Sequence, residues 1–128
     1  MDLQPHHIGL VVSDLERSLR FYESLGFVTE SSMEPEPGRS LTFMRLGDFR
    51  LELFWYAQTP PAAAKSETRQ LGFRHFALRT DDIEAVVAEL KALGHVAGDA
   101  EVREVMGRYR LLFLDDPDGI EIELTQEM

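Results

Sequence analysis

Two histidines and two glutamates recur at matched positions and form a candidate set of metal ligands. His7 and His75 each head an apolar run, HIGLVV and HFAL, while Glu52 and Glu123 each lie within an apolar frame, LEL and IEL. Two imidazoles and two carboxylates suit Zn, Ni, Mn, Co or Fe(II), and they leave coordination positions for water or substrate. Because the sequence contains no cysteine, thiolate ligands and disulfides are excluded.

Each of these four residues also has a simpler interpretation when it is taken alone. A glutamate that alternates with apolar residues is usually the solvated side of a half-buried strand. His6 competes with His7, and Glu121 competes with Glu123. The LEL frame resembles the IEL frame around Glu123, yet Glu121 has the same strand parity and stays a candidate for the same cavity.

An internal repeat connects the two histidines. Shifting the chain by 68 positions aligns HIGLVVSDLERSLRFYESLGF (7–27) with HFALRTDDIEAVVAELKALGH (75–95) without a gap, and it pairs His7 rather than His6 with His75. Two copies are too few for a solenoid, so they indicate a duplicated module whose halves pair. A twofold relation between the copies would bring both histidine–glutamate pairs to one place.

Each copy begins with an apolar strand and then changes to helical periodicity. Ser13 and Asp81 stand three residues before a glutamate, which is the spacing of a capping box, and Gly26 and Gly94 are placed to end the two helices. Further strands are predicted over 27–31, 40–46 and 50–56 in the first half, and over 95–97, 108–114 and 120–125 in the second. Segment 33–39 is predicted to be an ordered loop or flap.

The predicted fold class is therefore α+β, with two paired βαβββ modules. The 128 residues have room for one compact domain, which we divide into module one (1–57), a Pro- and Ala-rich linker (58–70) and module two (71–128).

Composition excludes several classes of partner. A net charge of -10 opposes binding to nucleic acid, although an acidic surface would attract a cationic ligand. No apolar run approaches the roughly 18 residues of a membrane helix. The opening MDLQPHHIG lacks the lysine and apolar stretch of a signal peptide, so we expect a cytoplasmic location and no membrane partner.

Strand parity predicts a pocket around the glutamates and histidines. Side chains that share the face of Glu52 or His75, or that line the opposite wall, are candidates for substrate contact. The alternative is that aromatic residues at period two form core. The predicted substrate-binding residues are Arg50, Phe54, Tyr56, Arg79, Tyr109 and Phe113.

The segments HHIGLVVSDLERSLRFYESLGF, LELFWY, FRHFALRTDDIEAVVAELKALG and LLFLDDPDGIEIEL together resemble the vicinal oxygen chelate superfamily, which includes glyoxalase I and the bleomycin resistance proteins. The turn DPDG, four residues before Glu123, is similar to the family's approach to its last metal ligand. The resemblance implies that the two modules form a curled mixed sheet enclosing a metal site. It also implies a homodimer and the ligands His7, Glu52, His75 and Glu123.

The family's shared chemistry is binding of vicinal oxygens to a divalent metal that acts as a Lewis acid. With four ligand positions filled, the resemblance implies a metal-dependent lyase or isomerase for a small substrate, with Glu52 or Glu123 as the catalytic base. Val11 and Tyr56 replace an arginine and an asparagine that bind glutathione in glyoxalase I-type enzymes, so a glutathione-linked substrate is not expected. Relatives of methylmalonyl-CoA epimerase usually carry glutamine at the position of Glu52.

Three alternative functions remain. The first is a drug-binding protein of the bleomycin resistance type without catalysis, which the charge of -10 favours. The second is an Fe(II) ring-cleaving dioxygenase, which needs only two histidines and one carboxylate. The third is thiol transfer to an epoxide antibiotic.

Overall fold

The computed structural model describes residues 1–63 and 69–128, and the chain divides into two compact units, Met1–Ala63 and Ala64–Met128. Each unit has the order strand, helix, strand, strand, strand, which confirms the predicted α+β class with two βαβββ modules. The first contains β1 (Ile8–Val12), α1 (Leu15–Ser24), β2 (Val28–Glu36), β3 (Arg39–Leu46) and β4 (Phe49–Tyr56). The second contains β5 (Phe76–Arg79), α2 (Ile83–Ala92), β6 (Arg103–Val105), β7 (Tyr109–Asp115) and β8 (Glu121–Glu127).

Both units form a four-stranded mixed sheet with the same connections. The strand orders are β1-β4-β3-β2 and β5-β8-β7-β6. The first and last strands of each unit pair in parallel, and the remaining pairs are antiparallel. Such a parallel pair requires a long connection, which α1 or α2 begins in each unit. None of the helices in the described ranges is long and apolar enough to cross a membrane.

Alternation along β4 and β8 separates a core face from an open face. Leu51 and Leu53 are fully buried, whereas Glu52 between them is only half-buried. Ile122 and Leu124 are buried in the same way on either side of Glu123 in the second unit. Moving either strand by one residue would bury the carboxylate and expose the apolar neighbours, so the pairing register is strongly specified.

The helix starts differ from the predicted capping boxes by one residue. Asp14 and Asp82 are the N-caps, and their carboxylates accept hydrogen bonds of 3.1 Å from the amides of Arg17 and Ala85. Ser13 Oγ instead accepts from the guanidinium of Arg17 at 3.0 Å. Aspartate is as good a cap as serine, and only the backbone geometry distinguishes the two neighbours.

The predicted helix ends are confirmed. Gly26 and Gly94 have φ values of +100° and +76°, the left-handed conformation that glycine adopts without strain. The next amide in each case, that of Phe27 or His95, donates back to a carbonyl of the last helical turn at 3.1 Å or 2.9 Å. The left-handed glycine and this hydrogen bond together fix where the chain leaves each helix.

Two predicted segments are wrong. Residues 95–97 do not form a strand; the chain turns there, with the Ala100 amide donating to the Ala97 carbonyl, and the strand lies at Arg103–Val105. Segment 33–39 is not a loop, because β2 runs through Pro35 to Glu36 and a turn at Gly38 leads into β3. Proline is tolerated here because β2 is the edge strand. The predicted linker 58–70 lies partly outside the described residues.

The turn between β7 and β8 determines which face of the sheet each side chain of β8 takes, and β8 carries Glu123. Asp116 is 4% exposed, and its Oδ1 accepts hydrogen bonds from the amides of Asp118 at 2.8 Å and Ile120 at 2.9 Å. The Asp116 amide donates to the Ile120 carbonyl at 2.8 Å, and Gly119 completes the turn with φ +83°.

We predict that Asp116→Ala lowers the free energy of unfolding by about 2 to 4 kcal/mol, because two part-buried amides lose the buried side-chain acceptor of their hydrogen bonds. Urea unfolding followed by circular dichroism measures the change. Asp115→Ala is the matched control, since Asp115 is exposed and its loss should cost under about 0.5 kcal/mol. Equal unfolding midpoints for the two variants would contradict this role of Asp116.

Candidate functional site

In the first unit, a histidine and a glutamate lie in contact on the open face of the sheet. His7 Nε2 is 3.0 Å from Glu52 Oε2, and the two side chains are 34% and 13% exposed. Gly9 pairs with Glu52 in the parallel register of β1 and β4, so His7 stands two residues before Gly9 on the same face. This parallel register therefore brings the residue that precedes β1 within reach of Glu52 on β4.

The second unit repeats this arrangement. His75 Nε2 is 3.0 Å from Glu123 Oε2, with side chains 24% and 19% exposed. Ala77 pairs with Glu123, and His75 again stands two residues earlier. The sequence repeat thus corresponds to a repeat of side-chain geometry.

A phenylalanine completes each histidine–glutamate pair. Phe43 faces Glu52 from β3, and Phe113 faces Glu123 from β7. Their rings meet the histidines edge to face, with centroid separations of 5.1 Å for His7 and 5.3 Å for His75. Phe113 was a predicted substrate contact, whereas sequence reasoning missed Phe43. Counting back from the β3–β4 turn, where Leu46 pairs with Phe49, would have found it.

The competing residues occupy the other side of each imidazole. His6 Nδ1 lies 2.7 Å from His7 Nδ1, while Glu121 Oε1 lies 3.6 Å from His75 Nδ1. His7 and His75 therefore each present Nε2 to a glutamate of the predicted ligand set. Their Nδ1 atoms face the two competing residues, His6 and Glu121.

The distance within each pair fits a metal site. Two ligand atoms that are each about 2.1 Å from an ion and at a right angle to one another stand about 3.0 Å apart. A direct hydrogen bond between imidazole and carboxylate gives a similar separation. Within residues 1–63 and 69–128, no group of three or more histidine, aspartate or glutamate side chains is arranged to hold an ion. Each histidine–glutamate pair by itself supplies two possible metal-ligand atoms, one imidazole nitrogen and one carboxylate oxygen.

The predicted substrate residue Arg50 is engaged in an ion pair. Its Nε and Nη2 donate to Glu30 at 3.0 Å and 3.3 Å, and Arg45 Nε lies 3.2 Å from the same carboxylate. The hydrogen bonds from Arg50 to Glu30 raise the pKa of that guanidinium above its ordinary value. Arg50 and Arg45 face each other across β3 and β4, two pairing steps from the Phe43–Glu52 pair and on the same face of the sheet.

Phe54 and Tyr56 continue the open face along β4, and both are half-buried. The Phe54 ring lies over Gly9, where a β-carbon would come within 3.0 Å of Phe54 Cε2. Val11, which pairs with Phe54, is 53% exposed. The surface beside Glu52 is therefore apolar and open.

The remaining predicted substrate residues lie in the second unit. Arg79 is exposed and pairs with Thr125, and Tyr109 is half-buried with the Arg108 guanidinium 5.6 Å from its ring centroid. Sequence reasoning missed Arg103, whose guanidinium lies 6.0 Å from the centroid of Phe113. It was missed because the strand that carries it was predicted too early in the chain.

The chain is similar to known proteins over most of its length. Residues 4–124 match the family model of the Glyoxalase/Bleomycin resistance protein/Dioxygenase superfamily. The uncharacterized protein YaeR of Escherichia coli is 32% identical over 128 residues, which cover 97% of this chain and 96% of YaeR. Human mitochondrial methylmalonyl-CoA epimerase is 29% identical over 94% of this chain and 72% of its own.

A solved structure shows the same likeness. The glyoxalase family protein from Enterococcus faecalis has a TM-score of 0.80 and 31% identity, over 95% of this chain and 96% of that chain. The resemblance predicted from the sequence is thereby confirmed, and the chain belongs to the Glyoxalase/Bleomycin resistance protein/Dioxygenase superfamily, a branch of the vicinal oxygen chelate proteins.

Proposed function

We propose that the protein is a metal-dependent lyase or isomerase that acts on a small substrate with vicinal oxygens. In this proposal His7, Glu52, His75 and Glu123 together hold one divalent ion: Zn, Ni, Mn, Co or Fe. The observation that carries it is the recurrence, in both units, of an Nε2–Oε2 separation of 3.0 Å at the same strand register. Since catalytic metal sites use at least three protein ligands, one pair alone is insufficient.

The ion, when bound, supplies Lewis-acid polarisation of a substrate oxygen. Protein side chains carry out the proton transfer, and Glu52 and Glu123 are the proposed bases. A half-buried carboxylate removes a proton from the carbon next to a carbonyl, and the same or the other carboxylate returns it to that carbon or its neighbour. Phe43 and Phe113 contact the imidazoles edge to face and limit the orientations of the two rings. The name of the human relative, an epimerase, is consistent with a proton-transfer reaction.

The open face also supports a substrate that is not linked to glutathione. Where glyoxalase I-type enzymes use an arginine, Val11 exposes an apolar side chain beside Phe54. Tyr56 stands at the position of the expected asparagine. An apolar surface there contacts a compact substrate and offers no partner to a glutathione carboxylate. The proposed substrate contacts are those predicted from the sequence: Arg50, Phe54, Tyr56, Arg79, Tyr109 and Phe113.

We further propose that modules one and two act as a single domain, and that the protein functions as a cytoplasmic homodimer. Family members often form dimers. Sedimentation velocity is expected to give twice the 14.6 kDa mass of one chain. A mass of one chain across the micromolar range would contradict the dimer while leaving the metal site in place.

We predict that the untagged protein binds one divalent ion per chain. Metal analysis gives the stoichiometry, and competition with a chelator gives the affinity. Glu52→Gln and Glu123→Gln should each weaken binding at least tenfold, because each replaces a charged ligand with a neutral amide. Glu127→Gln is the matched control, since this exposed glutamate lies on the same face of β8. Two ions per chain would mean separate sites, and no transition metal in any preparation would contradict the proposal.

We also predict that the metal-loaded protein exchanges a substrate proton with solvent. A panel of hemithioacetals and α-hydroxy or α-keto carbonyl compounds, incubated in D2O and followed by NMR, should identify a substrate that gains deuterium. Glutamine at the position of the base should slow exchange by about 10² to 10⁴ fold. The glutamine variant of the other carboxylate loses a metal ligand but keeps the base, and Glu127→Gln keeps both. Comparing the three variants therefore separates loss of the base from loss of the metal.

Other results would support the alternatives. Oxygen consumption with catechols in the presence of Fe(II) would indicate a dioxygenase. Tight binding of a cationic drug such as bleomycin, unaffected by metal removal, would indicate a drug-binding protein and contradict the enzyme.

A further inference from the structure

A second histidine beside the proposed metal ligand His7 takes no part in the ligand set. His6 Nδ1 is 2.7 Å from His7 Nδ1, and the two rings meet at 78° with centroids 5.0 Å apart. The His6 ring also meets Phe43 edge to face at 6.4 Å. His6 is therefore held against both His7 and Phe43 although it is exposed.

The direction of the His6–His7 hydrogen bond follows from the other nitrogen of His7. A neutral imidazole carries one N–H donor and one acceptor nitrogen. Without metal, Nε2 of His7 faces a Glu52 oxygen at 3.0 Å, and a carboxylate only accepts. In the neutral form of His7 the proton therefore lies on Nε2, so Nδ1 of His7 accepts and Nδ1 of His6 donates.

The direction reverses when Nε2 of His7 is used as a metal ligand. A ligating nitrogen presents its lone pair, so the proton of a neutral imidazole moves to the other nitrogen. Nδ1 of His7 then donates, and Nδ1 of His6 must accept, with the proton of His6 on its own Nε2. A carboxylate or carbonyl could serve only this second state, whereas an imidazole serves both.

We infer that His6 is a positioning residue that holds the His7 ring in both protonation patterns and so prepares Nε2 for the metal. This inference rests on the proposed function. The second unit offers the contrast, because Nδ1 of His75 faces Glu121 at 3.6 Å, beyond hydrogen-bonding distance, and that partner can only accept. The two histidines of the site thus have outer neighbours of different chemistry.

The first test is spectroscopic and needs no substrate. Long-range ¹H–¹⁵N spectra of histidine-labelled protein, in a buffer that keeps the imidazoles neutral, report which nitrogen carries each proton. We expect His7 to be protonated on Nε2 without metal and on Nδ1 after Zn²⁺ is added, with His6 changing in the opposite sense. His75 provides the internal reference for zinc binding.

The second test measures zinc affinity in position 6 variants. His6→Ala should weaken zinc binding by about 10 to 100 fold, the usual effect of losing an outer partner of a metal ligand. His6→Asn should recover most of the loss, because its amide both donates and accepts. Gln4→Ala, also exposed in the same segment, should bind zinc like the unaltered protein.

The outcomes separate this inference from the proposed function. Zinc binding that is unchanged in His6→Ala, with the His6 proton of the unaltered protein unmoved when zinc is added, would overturn the role of His6 and leave the metal site intact. Failure of the unaltered protein to bind zinc or any other divalent ion would overturn both. Loss in both His6→Ala and His6→Asn, with unfolding midpoints unchanged, would mean that an amide cannot substitute, and would reject the two-state hydrogen bond.

Discussion

The two-residue period of β4 and β8 is the constraint on which both histidine–glutamate pairs depend. Each glutamate lies between two side chains that are at most 4% exposed, and burying a leucine or isoleucine contributes about 1.5 to 3 kcal/mol. Turning Glu52 inward would sacrifice Leu51 and Leu53 together and would bury an unpaired charge. The carboxylates are therefore held on the open face by the core beneath them, and their position does not rely on their own contacts.

Parallel pairing of the first and last strands of each unit places the histidines beside the glutamates. A hairpin would place the start of one strand beside the end of the other, whereas β1 and β4 run in the same direction. Their register sets Gly9 beside Glu52, so the histidine two residues earlier lies within reach of that carboxylate. The same holds for β5 and β8. Duplication of one such module is sufficient to give two histidine–glutamate pairs with the same internal geometry, each supported by a phenylalanine from the third strand of its sheet.

Local signals explain what could be predicted from the sequence. The helices, their glycine ends and the apolar frames around Glu52 and Glu123 are set by residues close together in the chain, and the repeat identified the histidines. The position of β6 could not be predicted, because its three residues have little strand character and are fixed by pairing with β7. Phe43 was missed, and His6 was considered only as a competitor of His7, for a related reason. Their importance lies in contacts with His7, which only the pairing register and the side-chain rotamers reveal.

The long edge strand β2 affects how the protein behaves at high concentration. All nine of its residues are exposed, and an unpaired strand edge of this length is a template for joining another chain. Pro35 removes one backbone donor, and two register shifts against β3 bend the ladder. Glu34 and Glu36 place carboxylates along the same segment. Two copies brought edge to edge therefore meet a broken hydrogen-bond pattern and like charges, which favours a dispersed solution over fibrils.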